Sequence, residues 1–246
     1  MKFQTAFVSD IGKKRKQNQD NGGAFPSQGL FIVADGMGGH QGGEVASGMV
    51  MEIVPEAVKK LQSKKNWDPK ETIATAISEA NHQIYQLSTE NPDLMGMGTT
   101  TTSILFTEGA MTIGHVGDSR AYYFRPGAIW QLTRDHSLVE EKLKAGIITR
   151  EQLKTDRMKN VITRSVGFES EVKVEIYEMA VEPGDLFLIC SDGLTGMLED
   201  SEILEIVHEH VFQNGNIKQA VDTLIENANE KGGEDNVTVL MTQVQG

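Results

Sequence analysis

The chain has 246 residues, a formal net charge of -12 at pH 7 and a sequence pI near 5.0. This length fits one large domain with a sizeable core. The acidic balance argues against nucleic acid as a partner, because binding to its phosphate backbone requires clustered Lys and Arg. The lone cysteine, Cys190, rules out an internal disulfide or a thiolate metal site, and its apolar neighbours predict an inert core thiol. The polar N-terminus and the absence of any apolar stretch of about 18 residues predict no membrane association, and we expect a cytoplasmic protein.

The first half of the chain shows one strand pattern followed by two helical patterns. Residues 30–34 form an apolar β-type run. Apolar residues recur at helical spacing in 43–65, where Pro55 is expected to kink the helix, and again in 69–89, where Asp68 is a candidate N-cap. We therefore expect two long helices that are adjacent in sequence.

The middle of the chain is rich in short β-type runs. They cover 99–106, 111–116, 121–124 and 129–132, and Glu-Gly, Gly-Asp and Pro-Gly turns separate them. This pattern predicts an antiparallel meander.

The remaining segments alternate between strand and helix patterns. Residues 138–159 are charged and weakly periodic, which predicts a helix followed by a surface segment near 143–160 that we call the flap. Strands are predicted at 172–179, 185–190 and 237–244, and helices at 200–211 and 217–228. Hairpins and paired helices in two blocks predict antiparallel sheets covered by helices, not a doubly wound parallel sheet.

Three short acidic segments carry the functional signal. They are Asp35-Gly36-Met37-Gly38-Gly39-His40, Ser191-Asp192-Gly193 and Glu234-Asp235-Asn236. The first two each follow an apolar β-type run and the third precedes one. Carboxylates gathered at strand ends beside an apolar core would repel one another, so they require either protonation or a cation. Asp-Gly is also an ordinary turn dipeptide, and any single segment fits that explanation. The three together favour a metal site.

Several motifs in a fixed order resemble those of a known family. They are Arg15…Asp20, the three acidic segments, Gly98-Thr99-Thr100 and Gly117-Asp118-Ser119-Arg120, and their order from about Phe3 to Val244 resembles the bacterial metal-dependent protein phosphatases of the PPM, or type 2C, family. The resemblance implies an α+β fold, a four-layer α-β-β-α sandwich of two antiparallel sheets flanked by helix pairs. It also implies a single phosphatase domain over residues 1–246.

The resemblance implies a set of metal ligands. Asp35 would bridge two Mn²⁺ or Mg²⁺ ions, the Gly36 carbonyl would bind one of them, and Asp192 and Asp235 would bind the other. Asp118 would join Asp192 at a third, weaker ion. An all-oxygen ligand set is what such hard cations prefer. We expect Gly36 to let the backbone turn, so that the Asp35 side chain and the next carbonyl face the same ion.

The N-terminal motif contributes two further candidates. Arg15 resembles the family arginine that binds the substrate phosphate, for which the guanidinium fork is well suited. Lys13, Lys14 and Lys16 are interpreted as a solvated basic run. Asp20 would support the metal site through a bound water molecule.

The implied reaction is hydrolysis of phosphoserine or phosphothreonine in proteins by a water or hydroxide that bridges two ions, without a phosphoenzyme. The candidate general acid is His40, with His136 as the rival, and a hydrogen-bonded structural role is the alternative for either histidine. The glycines after Asp35 do not form a nucleotide-binding loop, because no Lys-Ser or Lys-Thr ending follows them.

The expected partners are phosphorylated proteins, including a serine/threonine kinase or its targets, and the expected state is a monomer. One alternative is a regulatory pseudophosphatase that binds phosphoproteins without turnover, which Gln19 motivates because many family members carry Glu there. A phosphatase dedicated to anti-sigma-factor antagonists is a further alternative. The flap is expected to control substrate choice or product release.

Overall fold

The computed structural model describes residues 1–39, 42–153 and 155–246. Within these ranges the chain forms eleven strands and seven α-helices. The strands are β1 (Lys2–Asp10), β2 (Asp20–Phe25), β3 (Leu30–Met37), β4 (Gly98–Thr99), β5 (Thr101–Thr107), β6 (Ala110–Val116), β7 (Arg120–Arg125), β8 (Ala128–Gln131), β9 (Glu175–Ala180), β10 (Leu186–Cys190) and β11 (Val237–Gln245). The helices are α1 (Gly42–Gln62), α2 (Pro69–Glu90), α3 (Leu138–Lys144), α4 (Arg150–Leu153), α5 (Asp192–Thr195), α6 (Asp200–Val207) and α7 (Ile217–Glu230).

The strands form two antiparallel sheets. The first has the order β1-β11-β10-β7-β8, and the second has the order β2-β3-β5-β6-β9, with the short β4 paired to the end of β3. The N-terminal strand β1 lies along the last strand β11 over nine residue pairs, from Lys2 opposite Gln245 to Asp10 opposite Val237. The two ends of the chain are thereby joined in one sheet.

Three apolar clusters give the fold its four layers. One lies between the second sheet and the α1–α2 pair, and another between the first sheet and the α6–α7 pair. The third lies between the sheets, where the Phe106 and Phe187 rings meet at a centroid distance of 5.4 Å. Each sheet therefore buries both faces, one against the other sheet and one against helices, and the predicted α-β-β-α sandwich is confirmed.

The predicted antiparallel meander is wrong. The four strands form two hairpins in different sheets: β5 and β6 pair in the second, whereas β7 and β8 pair in the first. The second neighbour of β6 is β9, and the second neighbour of β7 is β10. Local turn signals predict hairpins, but the sheet that each hairpin joins depends on strands far away in sequence. The connection between β6 and β7, residues 117–119, thus crosses between the sheets at the end where the acidic segments lie.

The two long helices begin close to their predicted positions. Asp68 caps α2, because its side chain accepts a hydrogen bond from the Glu71 N–H over 2.9 Å. Helix α1 continues through Pro55. Helix α6 stops at Val207 and the chain continues as a π-helical segment, His208–Gln213, so the predicted helix over 200–211 has two different backbone geometries.

Strands β1 and β2 were not predicted. The side chains of β1 are largely exposed or half-buried, and β2 contains the pair Gly22-Gly23, which has a low strand propensity. Long-range pairing with β11 stabilises β1, whereas β2 pairs with the next strand along the chain, β3. In the parts of the chain that the structure describes, no helix combines the length and apolar character needed to cross a bilayer.

Candidate metal centre

Five aspartates approach one another where strands of both sheets end. Asp20 and Asp35 are register partners on β2 and β3. Asp192 opens α5 directly after β10, and Asp235 stands two residues before β11. Asp118 lies in the connection between the sheets. Sequence positions more than 200 residues apart are therefore brought to one site by the pairing of strands.

The cluster is held in an environment that disfavours negative charge. Asp20 and Asp118 are 5% and 8% exposed. Burial, followed by the Asp192 charge, raises the pKa of Asp20 to about 6. Burial likewise raises the pKa of Asp35 and Asp118, to which the neighbouring carboxylates add, and the pKa of Asp192, where Asp235 is the main neighbour. Without a cation, the ionised cluster is electrostatically strained.

Within the described part of the chain, three buried carboxylate oxygens lack a hydrogen-bond partner, namely Oδ1 of Asp20, Asp118 and Asp192. Buried polar atoms normally have a partner, so these oxygens are available as ligands. Oxygen-only donors that carry excess negative charge suit Mg²⁺ or Mn²⁺. In 1–39, 42–153 and 155–246, however, no three His, Cys, Asp or Glu side chains form a ready-made metal-binding group. The donor set therefore fits a hard cation in chemistry, although the carboxylates are not drawn in around a common point.

Hydroxyl groups hold the side chain of Asp20 and the backbone of Asp35, and sequence reasoning did not assign them a role. The Ser191 hydroxyl donates to Asp20 Oδ2 over 2.7 Å and accepts from the Thr238 N–H. The Asp35 N–H donates to Thr100 Oγ1 over 2.9 Å, while the Thr99 hydroxyl donates to the Asp35 carbonyl. The available signal was their position, because Ser191 directly precedes Asp192 and the Thr99-Thr100 pair belongs to a recognised motif.

The glycines that follow Asp35 and Asp192 are needed for close packing, whereas Gly36 was expected to let the backbone turn. Gly36 does not start a turn, because it lies within β3 opposite Thr99. A Cβ on Gly36 would lie 2.1 Å from the Gly43 carbonyl oxygen at the start of α1. A Cβ on Gly193 would lie 1.9 Å from the Asn236 carbonyl oxygen. Both glycines therefore allow a second segment of the site to pack against the backbone.

Arg15 lies beside the cluster in a loop that Asn236 holds in place. The Arg15 guanidinium donates from Nη2 to Asp235 Oδ2 over 2.6 Å. The buried Asn236 amide donates to the carbonyls of Ile11 and Gln17, both at 2.9 Å, and accepts from the Gln19 N–H over 2.8 Å. The loop that carries Arg15 is thus attached to the residue that follows Asp235.

His136 supports the backbone beside Asp118. Its Nδ1 accepts a hydrogen bond from the Gly117 N–H over 3.0 Å. The backbone N–H of His136 donates to the Gly117 carbonyl over 2.7 Å. Its Nε2 lies 2.9 Å from Arg164 Nη1 and 3.4 Å from Glu175 Oε1. Both ring nitrogens are engaged, which agrees with the structural alternative for His136. Asp135, the residue before His136, forms a bidentate ion pair with Arg120.

Two other predicted residues complete the comparison with the sequence. His40, the candidate general acid, lies outside the described residues. Cys190 is fully buried, and burial raises the pKa of its thiol. This is the environment expected of an inert core thiol.

Comparisons with known proteins agree with the arrangement. The family model described as protein phosphatase 2C matches residues 12–229. The serine/threonine phosphatase stp of Listeria monocytogenes is 38% identical over 241 residues, which cover 96% of this chain and 94% of that protein.

Two solved structures are similar over nearly the whole chain. The Mycobacterium tuberculosis serine/threonine phosphatase PstP/Ppp has a TM-score of 0.91 and 33% identity and covers 100% of both chains. The catalytic domain of serine/threonine protein phosphatase PstP in complex with 2 manganese ions has a TM-score of 0.87 and 34% identity, with 99% of each chain covered. The chain therefore belongs to the protein phosphatase 2C family and is a serine/threonine phosphatase of the bacterial type.

Proposed function

We propose that this phosphatase hydrolyses phosphoserine and phosphothreonine in proteins with the help of Mn²⁺ or Mg²⁺ held by the aspartate cluster. The observation that carries the proposal is a set of buried carboxylate oxygens, on Asp20, Asp118 and Asp192, that have no hydrogen-bond partner among the described residues and lie near a guanidinium. The Mn²⁺-bound PstP structure of the same fold supports the choice of ion.

In this proposal, Asp35, the Gly36 carbonyl, Asp192 and Asp235 hold two cations. Asp118 joins Asp192 toward a third, and Asp20 supports the site through bound water. The ions, when bound, supply an activated water and neutralise charge on the phosphoryl group. Ser191 fixes Oδ2 of Asp20, while Oδ1 is buried with no hydrogen-bond partner among the described residues.

The role proposed for Arg15 is to bind and orient the phosphate. A guanidinium fork makes paired hydrogen bonds to phosphate oxygens, which an ammonium group cannot do. In the present arrangement Asp235 accepts the Arg15 hydrogen bond. Substrate binding would exchange that partner for a phosphate oxygen, and Asn236 would keep the loop in position during the exchange. His40 remains the candidate that protonates the leaving alkoxide.

We also propose that residues 1–246 form one catalytic domain and that the flap controls which proteins are accepted. The residues on either side of the flap connect it to the site indirectly. Ser137 and Ile162 pair as an isolated β-bridge, and the Thr163 N–H donates to the carbonyl of His136. Exchanging residues 143–160 for those of a relative should change the ranking of protein substrates. Turnover of an aryl phosphate should change less, and an unchanged ranking would contradict the idea.

The deciding experiment compares EDTA-treated protein with and without added Mn²⁺ or Mg²⁺, on a phosphothreonine peptide and on an aryl phosphate. Metal-restored hydrolysis of both supports the proposal. Folded protein that binds Mn²⁺ by calorimetry but hydrolyses neither substrate would favour a phosphoprotein-binding role instead. Phosphorylated proteins, including a serine/threonine kinase or its targets, are the proposed partners.

A further inference from the structure

Four consecutive cations form an exposed strip at the rim of the aspartate cluster. We call residues 13–16, Lys13-Lys14-Arg15-Lys16, the basic loop. All four side chains are exposed, in a chain whose formal net charge is -12. Among the described residues, Arg15 is the one member of the loop that forms an ion pair. The three lysine ammonium groups are therefore available to a partner that approaches the site.

The backbone of the basic loop is fixed relative to the cluster. The N–H groups of Lys13 and Lys14 donate to the Gly233 carbonyl over 2.7 and 3.2 Å. Just beyond the loop, the buried Asn236 amide donates to the Gln17 carbonyl over 2.9 Å. The lysines consequently extend from anchored positions on both sides of Arg15, although their side chains remain solvated.

The four charges of the basic loop stand on consecutive residues of the chain. Neighbouring Cα atoms are about 3.8 Å apart and an extended peptide advances about 3.3–3.6 Å per residue. A segment whose phosphate is bound at Arg15 would therefore present its next one to three residues to Lys13, Lys14 or Lys16. Ammonium groups act as point charges, so they can pair with either a carboxylate or a phosphate. The rest of the acidic surface would repel such a segment, which makes the loop a local exception.

We propose that the basic loop selects phosphorylated segments that carry additional negative charge, as Asp, Glu or a second phosphate, within about three residues of the phosphoserine or phosphothreonine. This inference rests on the proposed function, because it concerns the substrates of the same site. It assigns a specificity role to Lys13, Lys14 and Lys16, whose composition alone indicates only a solvated basic run.

The test uses two triple variants of equal charge. One is Lys13→Gln, Lys14→Gln and Lys16→Gln in the basic loop. The matched control is Lys59→Gln, Lys60→Gln and Lys64→Gln. These three lysines are exposed and lie in and just after the C-terminal turn of α1, whereas Gly43, which packs against Gly36, is at the other end of that helix. Metal-loaded proteins are assayed on phosphothreonine peptides of one length with Asn and Gln flanks, with Asp and Glu before or after the phosphoresidue, or with a second phosphothreonine. The readout is the ratio of kcat/KM for each charged peptide to that for the neutral peptide.

The wild-type chain is expected to prefer at least one charged peptide by about three- to tenfold, given that exposed ion pairs are individually weak. The loop variant should bring that ratio close to one, whereas the control variant should keep it. The preference should also shrink at high ionic strength. A ratio near one in the wild type, equal ratios in the loop and control variants, or a preference that persists in high salt would each overturn the inference.

Aryl phosphate hydrolysis by the wild-type chain separates failure of the proposed function from failure of the specificity role of the basic loop. If it is absent with both ions, the proposed function fails, and this inference fails with it. If it is normal while the peptide ratios show no dependence on the loop, only this inference fails.

Discussion

The Arg15 guanidinium and the Asp235 carboxylate are hydrogen-bonded to each other, with 2.6 Å between Nη2 and Oδ2. One is the proposed phosphate ligand and the other a proposed metal ligand. The second oxygen of Asp235 accepts the N–H of Asn236 over 2.8 Å, so both oxygens have a partner. Metal binding at Asp235, as proposed, would therefore compete with Arg15 for the same carboxylate.

We predict that Arg15→Ala binds Mn²⁺ about two- to fivefold more tightly than the wild type, because Asp235 is released and a nearby positive charge is removed. The effect is small because both partners are partly exposed and such pairs contribute about 0.2–1 kcal/mol. Calorimetric titration of metal-free protein measures it. Lys14→Ala is the control, since it removes a neighbouring charge without touching Asp235. Equal or weaker binding by Arg15→Ala would contradict the competition.

Asp192→Asn is predicted to stabilise the metal-free protein while it abolishes turnover. Replacing one of several mutually repelling buried carboxylates by a neutral amide relieves charge repulsion and the desolvation penalty. We expect the free energy of unfolding to rise by about 1–2 kcal/mol, because functional sites often give up stability for activity. Thermal unfolding in EDTA and peptide hydrolysis with Mn²⁺ measure the two effects. The exposed Asp93→Asn should change neither. A variant that is less stable in EDTA, or one that retains turnover, would count against a strained metal site.

Asn236→Ala is predicted to lower the free energy of unfolding by about 2–4 kcal/mol, because the buried Asn236 side chain loses three part-buried hydrogen bonds to the backbone of the loop. Urea denaturation measures the change, and the exposed Asn214→Ala should fall within about 0.5 kcal/mol of the wild type.

The same substitution tests whether Asn236 positions Arg15. Inhibition by inorganic phosphate is compared in the wild type, in Asn236→Ala, in Arg15→Ala and in the double variant. If Asn236 acts through Arg15, its effect on phosphate affinity should disappear when Arg15 is absent. Additive effects would mean that Asn236 has only a structural role.

The buried histidine His115 should make stability depend on pH. Its Nε2–H donates to the Arg134 carbonyl, and its Nδ1 lies 2.9 Å from the Thr102 hydroxyl oxygen. Burial, followed by the charge of His136, lowers its pKa to about 4. Between pH 6.5 and 4 the unfolded chain binds the additional proton, so the His115 contribution to stability is lost as the pH falls, by up to about 3 kcal/mol.

The raised pKa of the buried aspartates gives a slope of the opposite sign, because the folded protein binds their protons first. The measurement is therefore the difference in unfolding free energy between the wild type and His115→Gln as a function of pH. That difference should grow from pH 4 to pH 6.5. A constant difference for His115→Gln would contradict the prediction.

The sequence by itself determined the local elements and the chemistry of the site. Helical spacing located α1 and α2, Asp68 marked a helix start, and the runs around Leu186 and Val237 marked strands, because each of these signals depends on neighbours within a few residues. The residue types also indicated an all-oxygen cation site, and the order of motifs indicated the family.

Only the tertiary structure decided how these pieces meet. Strand β1 forms because β11, more than 200 residues away, pairs with it, and the hairpins separate into two sheets because each finds a distant partner. The same packing explains why Gly36 and Gly193 must lack a Cβ, and why Arg15 lies against Asp235. Local sequence sets backbone preference and side-chain chemistry, whereas sheet membership and the approach of charged groups depend on contacts that form only when distant segments are brought together.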